Sequence, residues 1–305
     1  MKKALITGAT GFIGGALAKR LLLSGDRVFG VGRNVAKLNE LKQFGDFHPV
    51  QAEFSDYINL DKKINECDFD AVYNFAWQGT SSAHGDYENY EVQLTNVKVA
   101  ADLATVLPKL CSENACALNI GSYSKENVLV NSKTKFNPNI YGITKGVASE
   151  LFMAILYKNH ISCNALALPN VYGPNDKTNT AIVFFIKKLL ANEPLNLIPS
   201  DTVDDWLYID DAVDGIIAAS TSKKAFTEYY VGHREITTFE QKLTAMKEAL
   251  NSKSELNFGK FQRTIQVNYQ AFDLDALYND TGFEAKTDFK ESIVKTAEWI
   301  ATLTE

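Results

Sequence analysis

The chain is predicted to be an α/β protein, built on a doubly wound parallel sheet that carries a smaller C-terminal lobe. Three observations predict this. Short apolar runs alternate with longer helical patterns through the first half, a glycine-rich turn joins the first strand to the first helix, and the 305 residues exceed the usual size of a single core.

The elements follow in order. Ala4-Leu5-Ile6 after Met1-Lys2-Lys3 might open a signal peptide, but Thr7 and Gly8 end the apolar run too early, so residues 4–7 read as the first strand. A helix over 12–24, a strand over 27–31, a helix over 35–43 and strands over 48–51 and 70–75 come next, then a helix over 90–107 and a strand over 115–120. That rhythm is a succession of βαβ units, which demands parallel pairing. A helix from Tyr141 to about 158 and a buried strand from Cys163 to Leu168, closed by Pro169, finish the sheet. Beyond Pro174 the pattern is mixed: a helix over 181–191, one beginning at Asp210-Asp211, one over 238–250 and a terminal helix over 289–303. The expected division is a dinucleotide-binding domain over 1–170, to which 205–235 return, and a substrate-binding lobe over 171–305. A cleft should open at the carboxyl ends of the strands.

Composition narrows the function. Apolar residues make up 46% and charged residues 22%, as in ordinary soluble domains, and no repeat or low-complexity tract interrupts them. A net charge of -6, with five arginines among 31 basic residues, argues against nucleic-acid or membrane partners and for a small molecule. No run reaches the roughly 18 apolar residues of a membrane span. The four cysteines form no CxxC pair and the four histidines lack metal-ligand spacing, so a reduced, cytoplasmic, metal-free protein is expected.

The strand at 4–7 runs into Gly8-Ala9-Thr10-Gly11-Phe12-Ile13-Gly14 and then into an amphipathic helix. This is the context in which a glycine triplet binds a dinucleotide, in a Rossmann-type sheet. Gly8 permits the turn, Gly11 lets backbone approach a pyrophosphate, and Gly14 lets helix pack on strand, while free N–H groups at the helix start face the anion. An acidic residue at the end of the second strand would mark NAD; Gly32-Arg33-Asn34 stand there instead. The forked donors of Arg33 suit a ribose 2′-phosphate, so NADP(H) is favoured, with NAD(H) as the alternative.

Tyr141 and Lys145 stand four apart at the start of a helix and share a face. They follow Gly121-Ser122-Tyr123-Ser124, which places a hydroxyl beside the tyrosine. An ammonium near a phenol favours the phenolate, so Tyr141 could exchange a proton near neutral pH while Ser122 holds a substrate oxygen. No Gly-x-Ser-x-Gly elbow or Gly-x-x-x-x-Gly-Lys-Ser/Thr loop is present, which removes hydrolase and P-loop chemistry. Trp77 and Trp206 read as packing or cleft-wall residues.

Together these segments resemble the extended short-chain dehydrogenase/reductase family, also described as NAD-dependent epimerase/dehydratases. The resemblance runs through the glycine turn, Asn74-Phe75-Ala76-Trp77, Ile120-Gly121-Ser122, Tyr141-Gly142-Ile143-Thr144-Lys145, Leu168-Pro169-Asn170-Val171-Tyr172-Gly173-Pro174 and Trp206-Leu207-Tyr208-Ile209-Asp210-Asp211. It implies a catalytic set of Ser122, Tyr141 and Lys145, organised by Asn96. The implied cofactor contacts are Gly8, Thr10, Gly11, Phe12, Ile13, Gly14, Arg33, Asn34, Glu53, Phe54, Phe75, Ala76, Trp77, Asn96, Pro169 and Val171, and the implied substrate contacts are Ser124, Asn170 and Arg263. Two arginines common in nucleotide-sugar members are replaced by Ala167 and Asp204, which leaves Arg263 as the surviving diphosphate anchor. The spacing from Ser122 to Tyr141 is short, so Ser124 stays open as the catalytic hydroxyl.

The segment around Arg263 resembles the CDP-paratose and CDP-abequose synthase branch. That likeness implies NADPH-dependent reduction of a nucleotide-linked 4-keto-6-deoxy sugar in polysaccharide biosynthesis. The alternatives are a nucleotide-sugar 4-epimerase or dehydratase with retained cofactor, and a non-catalytic NADP-sensing regulator. A homodimer is the assembly considered.

Overall fold

The computed structural model describes residues 2–80, 85–129, 136–177, 180–263 and 265–303. In the first half, β1 (Lys3–Thr7), α1 (Phe12–Leu23), β2 (Arg27–Gly32), α2 (Val35–Asn39), β3 (Phe47–Gln51), β4 (Phe69–Asn74), α3 (Tyr90–Val106) and β5 (Cys111–Ile120) follow one another. Each lies within a few residues of its expected position, because the apolar period that predicts an element is also what buries it. The third crossover departs from the others: residues Phe54–Lys62 form 3-10 turns, begun by a capping box between Glu53 and Asp56.

The second half brings β6 (Asn127–Leu129), α4 (Ile140–Lys158), β7 (Ser162–Ala167), β8 (Asn170–Tyr172), α5 (Ala181–Leu190), β9 (Leu195–Asn196), β10 (Trp206–Tyr208) and α6 (Ile209–Ser220). It closes with β11 (Glu228–Tyr230), α7 (Phe239–Ala249), β12 (Leu256–Asn257), β13 (Ile265–Val267), α8 (Ala276–Thr281) and α9 (Phe289–Ala301). Seven strands form one sheet in the order β11-β7-β5-β4-β1-β2-β3, with every pair parallel. It is the Rossmann-type α/β sheet that the sequence predicts. The order reverses between β1 and β4, and a ligand crevice opens at such a reversal.

Alternation along β1 sends Ala4 and Ile6 to one face and Leu5 to the other. On the first face α1 and α6 pack through Leu17, Leu21, Val213 and Ile216, and the same core continues to Trp206, Phe239 and Ile293 in the C-terminal region. On the second face Phe29, Val72, Leu103 and Phe152 close the core under α3 and α4. At the edges, β11 is three residues long and β3 carries Pro49, paired with Gly30.

A buried polar chain crosses the carboxyl ends of the strands. Thr7 Oγ1 donates to Asn74 Oδ1 at 2.6 Å, Asn74 Nδ2 to Asn119 Oδ1 at 2.8 Å, Asn119 Nδ2 to Ser149 Oγ at 3.0 Å and Ser149 Oγ to the Lys145 carbonyl at 3.1 Å. It ties the strand that opens the glycine turn to the helix that carries Tyr141 and Lys145. Each group is satisfied by the next, as burial requires.

Candidate active site

The glycine turn is built as its sequence predicts. Gly8 has φ +69°, a left-handed conformation that favours glycine, and a Cβ there would meet the Ala76 nitrogen at 3.0 Å. A Cβ on Gly14 would lie 2.5 Å from the Gly8 carbonyl oxygen, so only glycine lets α1 start so close under β1. Gly11 caps α1 with no side-chain bond, which leaves the first N–H groups of the helix to an external acceptor.

A cavity of about 210 Å³ opens beside this turn. It is lined by Gly8, Thr10 and Gly11 from the turn, Gly32 and Arg33 from the end of β2, Phe54, and Phe75 to Gln78 after β4. Gly8 leaves no room for a Cβ, and the bare backbone of the turn gives the cavity a concave wall suited to a dinucleotide phosphate. Arg33 lines this cavity from the end of β2. Asn34 and Glu53 do not line the cavity: the Asn34 side chain accepts from Lys37 N at 3.1 Å to cap α2, and Glu53 caps the 3-10 segment. Phe12, Ile13 and Gly14 also stay outside its wall, because they form the first turn of α1. A larger groove of about 720 Å³ runs along the outer side of α1 and shares Thr10 and Gly11, but Ser122, Tyr141 and Lys145 do not border it.

Those three residues meet at the carboxyl end of β5. Ser122 stands beside the hydroxyl of Tyr141, and Ser122 Oγ accepts from Ser124 N at 3.1 Å. Ser124 lies close by near Tyr87, and both serines are buried beside the tyrosine pair. Lys145 is buried, and its Nζ donates to the Ile120 carbonyl at 2.9 Å. Burial lowers its pKa to about 7. The phenol of Tyr141 is pushed up by burial and by the neighbouring Tyr87, against the pull of Ser122. The expectation that Lys145 lowers Tyr141 is not met here, because the ammonium is turned to Ile120 and lies 5.8 Å from the Tyr141 ring centroid.

Asn96 acts as an organiser through backbone. Its Nδ2 donates to the Gln78 carbonyl and its Oδ1 accepts from Gln78 N, both at 2.9 Å. Two residues of this wall carry no sequence motif: Tyr87, stacked on Tyr141 at 4.6 Å and 24°, and Gln93, which accepts from Trp77 Nε1 at 2.9 Å. The one signal for Gln93 is its position one turn before Asn96, on the same helix face.

The residues expected to touch substrate lie together. Asn170 Nδ2 reaches both carboxylate oxygens of Asp204 at 3.4 Å, and Arg263 approaches the same carboxylate at 3.7 Å while donating through Nε to the Ile265 carbonyl at 2.9 Å. The hydroxyl of Tyr269 adds a bond to Asp204 at 3.3 Å. Burial raises the pKa of Asp204, against the charge of Arg263. Pro169 and Val171 flank Asn170 where β7 passes into β8, and Val171 is buried. Ala167 belongs to a small core with Tyr123, Tyr230 and Val267, a packed position with no space for an arginine. Trp206 is core, stacked among Phe185, Phe239 and Phe289, whereas Trp77 faces the cavity.

Among the described residues no group of three or more metal-ligating side chains occurs, and no helix is long and apolar enough to cross a membrane. The sequence model of the NAD dependent epimerase/dehydratase family matches residues 4–232. UDP-glucuronate 4-epimerase 3 of Arabidopsis thaliana is 22% identical over 97% of this chain and 75% of its own length. A dTDP-glucose 4,6-dehydratase of Xanthomonas campestris pv. campestris is 24% identical over 98% of this chain and 93% of its own. The crystal structure of UDP-glucuronic acid 4-epimerase from Bacillus cereus, in complex with UDP-glucuronic acid and NAD, superposes with a TM-score of 0.78 at 21% identity, covering 99% of both chains. At that identity the structural likeness establishes the fold.

Proposed function

Because the chain belongs to the NAD dependent epimerase/dehydratase family, we propose that it epimerises or dehydrates a nucleotide-linked sugar through transient oxidation of a ring hydroxyl. The observation that carries this reading is the burial of Ser122 and Lys145 close to Tyr141, next to Trp77, which lines the glycine-turn cavity. A nicotinamide cofactor held by the glycine turn, Phe54 and Phe75 to Gln78 supplies the hydride acceptor and donor. Ser122 holds the substrate oxygen, Tyr141 takes and returns its proton, and Lys145 places a positive charge and its free donors beside the reacting groups. Asn170, Asp204 and Arg263 orient the glycosyl diphosphate end.

The relatives reported above are an epimerase and a dehydratase, and the Bacillus cereus enzyme was crystallised with NAD. A second reading, NADPH-dependent reduction of a nucleotide-4-keto-6-deoxy sugar, is favoured by Arg33 at the cavity wall where an acid would mark NAD. A reductase exchanges its cofactor at every turnover and draws on the NADPH pool, whereas an epimerase keeps it. Purified protein mixed with NAD or NADPH and a panel of nucleotide sugars and their 4-keto-6-deoxy derivatives separates the two. Isomerised or dehydrated sugar with no net cofactor change supports the first reading; stoichiometric NADPH loss with a new alcohol establishes the second. No turnover with any sugar, together with a protein partner that responds to NADP, would favour the sensor.

The outer faces of α3 and α4 expose Leu94, Ile143, Val147 and Leu151. Adjacent apolar side chains on two packed helices suit self-association, so a dimer is expected in sedimentation, weakened by Val147→Glu.

A further inference from the structure

Lys145 is a buried cation with no carboxylate to answer it among the described residues. Burial alone moves its pKa, with no charged group contributing. From α4 the Tyr141 ring centroid lies 5.8 Å from its Nζ, from the end of β5 the Ile120 carbonyl accepts from it, and Tyr87 is stacked on the far side of Tyr141. Burial raises the pKa of both tyrosines, so they carry no charge while the ammonium exists. One of its three donors is spent on Ile120.

The remaining direction is covered by Trp77, whose ring centroid lies 3.9 Å from Nζ. The face of an indole is the negative lobe of its quadrupole, and a cation at that distance is attracted most where water is excluded. The ring is also fixed. Its Nε1 donates to Gln93 Oε1 at 2.9 Å, and the fully buried Gln93 spends its own Nε2 on the carbonyls of Gly79 at 3.0 Å and Asp86 at 2.9 Å. Asn96 clamps the next residue, Gln78, at both backbone groups. The edge of the indole meets the Tyr141 ring at 6.2 Å and 85°.

The geometry points to Trp77 as a positioning residue, held by Gln93, that keeps the Lys145 ammonium charged and aimed beside Tyr141 in place of an anion. The inference rests on the proposed role of Lys145 and adds Trp77 and Gln93 to the groups that sustain it. A carboxylate there would hold the lysine too tightly to the protein; an aromatic face leaves two donors free for substrate or cofactor hydroxyls.

A wall and a cation holder act in opposite senses, which makes the claim testable. As a wall, the ring excludes water and disfavours the charge; as a π face, it favours it. The Cε resonance of Lys145 in 13C-lysine-labelled protein, assigned by its loss in Lys145→Met, reports the titration directly and needs no substrate. Trp77→Leu keeps an apolar wall and removes the quadrupole, so the Lys145 midpoint should fall by about one pH unit. Trp77→Phe should lie between the two, and it carries the test by itself if the leucine variant does not fold. A midpoint unchanged or raised in a folded variant overturns the proposal, since the ring would then be only a wall. Titration of the same proteins with NAD and NADPH separates this from the functional reading: failure to bind either cofactor would sink that reading and leave the lysine comparison intact.

Discussion

Gly14→Ala is the most informative single change, because two principles pull it in opposite directions. Alanine in a helix is favoured over glycine by up to about 1 kcal/mol. Against this, the new methyl would sit 2.5 Å from the Gly8 carbonyl oxygen and 3.1 Å from its carbon, with Phe75 Cδ2 at 3.5 Å behind. That is about 1 Å inside ordinary contact, and the obstacle is backbone, so either α1 or the turn must move. Overpacking of this kind costs about 1–3 kcal/mol, and the net loss should be about 1 kcal/mol, a fall of roughly 2–4 °C in Tm. The larger effect should be on binding. Displacing the turn by that distance forfeits about one charge-assisted hydrogen bond to the cofactor pyrophosphate, or one to two decades of affinity. Calorimetric titration with NAD and NADPH, beside a thermal melt, gives both numbers. Gly15→Ala is the control: its methyl would lie 3.3 Å from the Ala9 carbonyl oxygen, which needs only tenths of an ångström, so stability should be nearly unchanged. If Gly14→Ala melted at or above the wild type and bound cofactor equally well, the close approach of α1 to the turn would not matter in the way argued.

Other expectations follow from the same structure. Arg33→Ala should weaken NADPH by one to two decades and spare NADH if the guanidinium reads a 2′-phosphate; equal losses in titration would refute that role. Asn119→Leu leaves Asn74 and Ser149 without their partner at the centre of a buried chain, at about 2–4 kcal/mol, which a denaturant melt should register as a shifted midpoint with unchanged slope. Burial pushes His233 down, but its bond to the Asp205 carboxylate at 2.7 Å and the charge of that group win, so its pKa is raised. A raised pKa adds stability that is complete below the unfolded value of about 6.5 and is lost as pH rises through the folded value. The Tm advantage of wild type over His233→Asn should therefore be greatest near pH 6 and shrink above it; an advantage that grew with pH would reverse the assignment.

The sheet was legible because its signal is local. Each of the apolar runs from 4–7 to 163–168 became a strand of the main sheet, and Gly8 and Gly14 show in their backbone the constraints that their spacing implied. β11 was not legible as a strand, since three residues carry no usable period; what makes it one is pairing with β7, a tertiary fact. The same holds for the short pairs β8 with β10 and β6 with β13. In the site, Ser122, Tyr141 and Lys145 could be read from order and spacing, and the structure adds that Ser122 and Ser124 are both buried there. Asn34 and Glu53 show a role that spacing after a strand does not reveal, since each caps the element that follows it. Tyr87 and Gln93 escaped notice because nothing in their neighbourhood marks them. They matter only through the Trp77 and Tyr141 rings, which come together in space.

The two ends of the sheet carry a consequence for how copies of this chain meet. A row of open backbone donors and acceptors at a sheet border invites another strand, and continued addition leads to fibres. Here one border strand offers only the three residues of β11, and the other, β3, contains Pro49, which has no N–H to give. Neither border is a good template for growth. The protein can therefore keep a large all-parallel sheet in a crowded solution, and contacts between copies are left to side chains on helices, where association closes instead of propagating.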